Sequence, residues 1–260
     1  MPPLKRSLSV QRRDASLTAA TIALALLLGA CAGGPSPRND ASASAKEAAE
    51  LQVKLGQGYM EQGQLETAME KLQRALELDP RSVDAHTMLA VLNERINRPT
   101  QAETHYRRAE RLAPDNGDVN NNLGAFLCGK GQYHEADAHF LKALNDPFYR
   151  SPAAALSNAG VCALKAGDSS KAEGYFRQVL TSQPNNAIAL FELARLHHQK
   201  DDNMRARAFL QRLESVTPAD PAVLDLGRRI ETRLGDAAAA RRYGDRLQNE
   251  FPDFQPEAPL

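Results

Sequence analysis

The stretch Gly124-Ala125-Phe126-Leu127-Cys128-Gly129-Lys130-Gly131-Gln132-Tyr133-His134-Glu135-Ala136-Asp137-Ala138-His139-Phe140 sets the pattern from which the rest of the chain is read. It opens on a residue with no side chain, breaks at Gly129-Lys130-Gly131, and places Ala136 twelve residues after Gly124 and Phe140 four residues beyond that. Glycines so closely spaced mark a turn, so the segment reads as two helices, A and B, folded back on each other. A small residue in each lets the two axes approach closely, and the large apolar residue one turn further on fills the space toward the next helix.

The same three positions recur along the chain. Gly56, Ala90, Gly124, Gly160, Ala194 and Arg228 stand at successive spacings of 34, 34, 36, 34 and 34 residues. Twelve residues after each comes an alanine: Ala68, Ala102, Ala136, Ala172, Ala206 and Ala240. Four further on stand Leu72, Tyr106, Phe140, Phe176, Leu210 and, out of pattern, Gly244. Pro80, Pro114, Pro184, Pro218 and Pro252 close the units, with Pro147 displaced by one in the third. Proline cannot continue helix B and restarts the chain. Gln62-Gly63-Gln64 and Ala166-Gly167-Asp168 supply turn signals like that at Gly131. A period of this length means a stacked array of supersecondary units. Composition agrees: 260 residues with no Trp and 5% aromatics suit a modular helical protein better than one large core.

These positions resemble the tetratricopeptide-repeat family. The resemblance implies an all-α, right-handed superhelical solenoid of about six repeats, spanning 49–82, 83–116, 117–150, 153–186, 187–220 and 221–254 within a repeat region of 47–254, followed by a tail of 255–260. The family's first aromatic position is Gln52, His86, Asn120, Leu156, Leu190 and Leu224 here, and the sixth repeat is eroded toward a cap. Such solenoids need atypical terminal repeats to cover exposed core. Two extra residues enter at the joint Asn145-Asp146-Pro147-Phe148-Tyr149-Arg150-Ser151-Pro152. That joint is either a tolerated loop or a functional bend, with Phe148 and Tyr149 either buried or a contact patch.

Ahead of the repeats, Lys5, Arg6, Arg12 and Arg13 precede a run without charge from Ala15 to Pro37, most apolar over Ile22 to Leu28. This reads as an export signal, residues 1–30, and is set aside from the fold. Its apolar part is short of the ~20 residues that span a bilayer, and Arg12-Arg13 matches twin-arginine export poorly. It ends in Leu28-Gly29-Ala30-Cys31, which resembles the bacterial lipobox. The resemblance implies cleavage before Cys31 and lipid on its thiol. Ala32 in place of Asp after the cysteine implies the outer membrane, facing the periplasm. Residues 31–46 then read as the lipidated cysteine and a flexible tether rich in Gly, Pro, Ser and Ala. Fully extended, such a tether reaches roughly 50 Å.

Charge balances at 32 basic and 32 acidic residues, and removing the four basic and one acidic residue of the signal leaves 28 against 31, a net of −3. That surface has no footprint for phosphate backbones, so nucleic acid is not expected as a partner. His86, His105, His134, His139, His197 and His198 share no i, i+4 face. Neither a metal nor another cofactor is therefore expected. No phosphate loop, serine elbow or isolated carboxylate pair stands out, so the chain reads as a protein binder, with no small-molecule substrate and no catalytic residues. In the repeat register Cys128 and Cys162 lie at similar heights on neighbouring helices A, and an oxidising periplasm favours a disulfide between them over two buried thiols.

The groove expected along the helices A is lined by Val53, Gln57 and Met60, by Thr87, Val91 and Glu94, and by Asn121, Asn122 and Ala125. Further along come Ser157, Asn158 and Val161, then Phe191, Arg195 and His198. Val91, Asn121, Asn122, Ser157, Asn158, Val161, Phe191 and Arg195 are the candidate peptide contacts, because amides such as Asn122 and Asn158 can pair with both N–H and C=O of a ligand backbone. Each polar one is otherwise solvated or bonded helix to helix, and the apolar ones are otherwise core.

The stretches Asn121-Asn122-Leu123-Gly124-Ala125-Phe126-Leu127-Cys128 and Asn158-Ala159-Gly160-Val161-Cys162-Ala163-Leu164-Lys165-Ala166-Gly167-Asp168 resemble the central repeats of the type IV pilus biogenesis and stability lipoproteins, the pilotins of the pilus secretin. The resemblance implies binding of the secretin subunit in the periplasm, its localisation to the outer membrane, and its assembly into a multimeric pore. Periodicity alone points only to a protein-binding solenoid. A general envelope scaffold, or a repeat domain delivering substrates to an enzyme, fits that period equally.

Overall fold

A computed structural model describes residues 37–218 and 220–255, with side chains described from residue 42. The described residues form twelve helices: α1 (Pro37–Glu61), α2 (Leu65–Leu78), α3 (Val83–Arg95), α4 (Pro99–Leu112), α5 (Gly117–Gly129), α6 (Tyr133–Asn145), α7 (Pro152–Lys165), α8 (Ser169–Ser182), α9 (Ala187–Gln199), α10 (Asn203–Glu214), α11 (Pro221–Leu234) and α12 (Ala237–Glu250). They pair as six antiparallel hairpins stacked into a superhelical solenoid. Odd-numbered helices are A and even-numbered helices are B. Each B packs on its own A and on the A that follows.

The small and large positions meet where the spacing placed them. A Cβ built on Gly56 would lie 2.7 Å from the Leu72 side chain, one on Gly124 2.9 Å from the Phe140 ring, and one on Gly160 2.7 Å from the Phe176 ring. Ala90, Ala194, Ala68, Ala102, Ala136, Ala172 and Ala206 are fully buried.

Repeat six departs from the expected register. There the close contact is Gly227 against Tyr243, where an added Cβ would come within 2.6 Å of the ring, and the buried alanine is Ala239. An arginine at 228 is too large for that contact, so the helix pair turns by one residue. Gly244 instead leaves room for the Arg228 chain, whose Cδ would lie 3.7 Å from a Cβ there. Ala239 is the only buried residue of α12, so the array ends on a largely solvated helix.

Each A-to-B turn passes through one left-handed residue: Gly63, Asn97, Gly131, Gly167, Asp201 and Gly235. Glycine adopts this conformation freely, and Asn and Asp are the other residues that tolerate it. Helices also start on side-chain caps: Ser82, Asn116, Asn186 and Asp220 accept from the backbone N–H three residues on. Such caps satisfy donors that the helix cannot.

Two stretches differ from expectation. α1 begins at Pro37, inside the segment read as tether. Ala43, Ala45, Lys46 and Glu47 are strong helix formers and Pro is accepted in a first turn, so a composition poor in bulky residues propagates a helix here. The earlier part of the tether, Cys31 and the signal lie outside the described residues. At the joint between repeats three and four, Asp146 accepts from Gly117 N at 2.7 Å and from Phe148 N at 2.9 Å. Tyr149 is half-buried over Gly117, where a Cβ would meet it at 2.5 Å. Phe148 is 87% exposed.

Gly160→Ala tests the close contact. Overpacking against Phe176 is expected to cost about 1–3 kcal/mol, read as a lowered urea midpoint, and Phe176→Leu in the same chain should restore part of the loss.

Candidate functional site

The helices A form the inner layer. Neighbouring A pairs α1–α3, α5–α7 and α9–α11 touch, while the helices B stand further apart, so the array curves with its A faces inward. The expected groove residues therefore share the concave side, but many are tied to the protein itself. Asn158 Nδ2 donates to Asn121 Oδ1 at 3.0 Å, an amide pair joining α5 to α7. Asn122 is half-buried, whereas Ser157 is only 7% exposed. Val91 packs between the first and central core clusters, Val161 against the central one, and Phe191 against the last. Each of the three keeps part of its surface exposed.

Polar neighbours are held too. Arg195 is paired with Glu192 at 2.8 Å, Glu94 accepts from Tyr106 Oη, and Thr87 Oγ1 donates to the Val83 carbonyl at 2.9 Å. Val53 and Met60 are core. The concave face thus offers polar groups, among them the half-buried Asn122 and the Glu192-paired Arg195, beside half-buried apolar patches. That arrangement suits a peptide segment. Among the described residues no group of three or more His, Cys, Asp or Glu could hold a metal ion, and no helix is long and apolar enough to cross a membrane.

The positions where the repeat family carries an aromatic hold a polar layer in repeats two and three. His86 Nδ1 lies 3.0 Å from His105 Nδ1, and Asn120 Oδ1 lies 2.9 Å from His139 Nδ1. Asn120 also donates to the carbonyls of Pro114 and Asn116. In repeats four and five the same positions are Leu156 with Tyr175 and Leu190 with Phe209. Burial favours the neutral imidazole and pushes His86, His105 and His139 below the ordinary histidine value.

Three models described as Tetratricopeptide repeat match residues 53–117, 116–185 and 163–230. Among curated proteins, the type IV pilus assembly protein PilF of Pseudomonas aeruginosa is 31% identical over 206 residues, 79% of this chain and 82% of PilF. The solved structure of Pseudomonas aeruginosa PilF superposes with a TM-score of 0.75 at 30% identity, covering 81% of this chain and 95% of that one. PilW, a widely conserved type IV pilus biogenesis factor, superposes with a TM-score of 0.74 at 32% identity, covering 80% and 95%. The chain belongs to the PilF family of tetratricopeptide-repeat proteins.

In this family member the two central repeats are clamped from below the groove. Cys128 on α5 and Cys162 on α7 are buried in the central core with their Cα atoms 5.7 Å apart, and the structure joins their sulfurs. That separation lies in the ordinary disulfide range. The link closes a loop of 34 residues beside the Asn121–Asn158 amide pair, so α5 and α7 are held together at two levels.

Two outcomes are expected. Mass analysis of the protein purified without reductant should find the Cys128 and Cys162 thiols alkylatable only after reduction, and Cys128→Ala with Cys162→Ala should cost about 3–4 kcal/mol of stability. The second concerns pH. An unfolded histidine takes up its proton near pH 6.5, whereas the folded sites resist it. Acidification from pH 7.5 to 5 should therefore lower the urea midpoint, because the unfolded chain binds more protons than the native one. His105→Phe, which copies the Phe209 position of repeat five, should flatten that drop.

Proposed function

We propose that the chain is an outer-membrane lipoprotein of type IV pilus biogenesis that binds the pilus secretin subunit through its concave face and promotes its outer-membrane localisation and multimerisation. The similarity to PilF and PilW over 79% to 81% of this chain carries this reading, because both are type IV pilus proteins matched over most of their own length. Repeat scaffolds of this kind are typically protein-interaction modules rather than enzymes.

Anchoring gives the binding a direction. With lipid on Cys31 and α1 starting at Pro37, five residues lie between the anchor and the first helix. They span at most about 18 Å. A bound subunit is then kept close to the bilayer it must enter, at a raised effective concentration.

Cys31→Ser separates address from grip. The variant should remain in the soluble periplasmic fraction and still retain secretin in a pull-down, while secretin multimers in the outer membrane and twitching motility are lost. Multimers and motility at wild-type levels would overturn the reading. Recovery of some other envelope protein, without secretin, would favour a general scaffold.

A further inference from the structure

The outer face carries a second feature that neither the anchor nor the groove uses. Between α8 and α10, the helices B of repeats four and five, lies a cleft of about 390 Å³ lined by Arg177, Arg205, Ala208, Phe209 and Arg212. Phe209 forms its floor, half-buried and stacked on the buried His197 ring with centroids 5.5 Å apart. The three guanidinium groups stand around it.

Each arginine is steadied on one side and keeps donors free. Arg177 holds Glu173 at 2.8 Å, Arg205 holds Asp202 at 3.0 Å, and Arg212 donates to the Pro184 carbonyl at 2.8 Å. Lys200 shares Glu173 at 2.6 Å, so four cations meet two carboxylates. The Lys200 hydrogen bond, with that of Arg177, holds the Glu173 carboxyl down at about 2.

Two of the corresponding clefts elsewhere neutralise themselves. Between repeats two and three, Arg107 pairs across the cleft with Glu135. Between repeats three and four, Lys171 and Tyr175 both reach across to Asp137 at 2.7 Å. In the cleft of repeats four and five, the acid in the Asp137 position is Glu173, already taken by Arg177 and Lys200, and Arg205 turns back to its own helix. The positive charge there faces outward.

We infer that this convex cleft is a docking site for an acidic segment of a protein partner, with an apolar side chain seated on Phe209 between two carboxylate-bearing residues. The layout of the cleft favours a peptide over a lipid headgroup. Arg205, Phe209 and Arg212 run along one helix, so the two outer cations are set about 10 Å apart along its axis. Carboxylate-bearing residues two positions either side of the apolar one share its face of an extended segment and lie about 13 Å apart, a span that long arginine side chains can meet. A phosphate headgroup calls for convergent donors around one centre. Guanidinium forks pair with carboxylates two bonds at a time, and stack on aromatic planes. Because helices A line the concave side, the solenoid can hold this segment and a groove ligand together.

The test uses the exported full chain carrying Cys31→Ser, to keep it free of lipid, and the fluorescein-labelled peptide GDEFEDG-amide, read by anisotropy. Saturable binding is expected at 50 mM salt, weakening as salt shortens the range of the charges. GKKFKKG-amide should not bind, and GDEGEDG-amide should bind several-fold more weakly. Arg205→Ala with Arg212→Ala should weaken GDEFEDG-amide at least tenfold with an unchanged helical circular-dichroism spectrum, and lysine at both positions should restore part of it. No binding, or equal binding by the double alanine variant, overturns the site. So does retention of phosphatidylglycerol vesicles that depends on these arginines when the peptide does not bind.

Discussion

Everything in this solenoid depends on how closely helix A can approach helix B within one hairpin. Gly56, Gly124 and Gly160 have no room for a Cβ because Leu72, Phe140 and Phe176 already occupy it. The large side chain that closes one hairpin is the same one that, on its far side, meets the next. A single hairpin cannot bury its apolar face, and stacking supplies the missing wall. The three buried clusters form a continuous run along the axis, with Val91 shared between the first two. Repeat six shows how strict the contact is: with Arg228 in the small position, the pair turns until Gly227 and Tyr243 take over the roles.

The period, and with it the hairpins and their order, was legible because the contact uses few residue types at fixed spacing. What escaped sequence reading follows from the same rule. Asn97 and Asp201 turn the chain in the left-handed conformation as the glycines do, but Asn and Asp occur in many other settings, so they carry no turn signal by themselves. The Gly227 register was hidden because Ala239 and Ala240 are both alanines and either fits the pattern. The helical start of α1 was hidden by composition, since small residues serve a tether and a helix equally.

The candidate groove was legible only as a list of positions. Register says which residues share the concave side, and it is silent on which of them bond to one another. Asn121 and Asn158 lie 37 residues apart, one more than the repeat with its two-residue insertion, so their amide pair crosses from one position to its neighbour. The His86–His105 pair hides for the opposite reason, lying within one hairpin at positions that repeat five fills with Leu190 and Phe209. Comparing the same position across repeats, rather than along one helix, exposes both kinds of partner. Ser157, one position from Asn158, is buried by the same close packing of α5 on α7 that brings the two cysteines together.

That packing is joined by further contacts in the middle of the array. The two-residue insertion lengthens the joint between repeats three and four, and a longer joint would ordinarily loosen the stack. Here Asp146 caps the start of α5 and turns the loop, Tyr149 covers Gly117, the Asn121–Asn158 pair crosses the groove side, and the Cys128–Cys162 link crosses the core. These four contacts fix the relative angle of the two halves of the solenoid. For the proposed binding of a peptide along several repeats, a pre-set curvature leaves less to be ordered. The insertion is therefore pinned on both sides, with Phe148 left facing solvent at its tip.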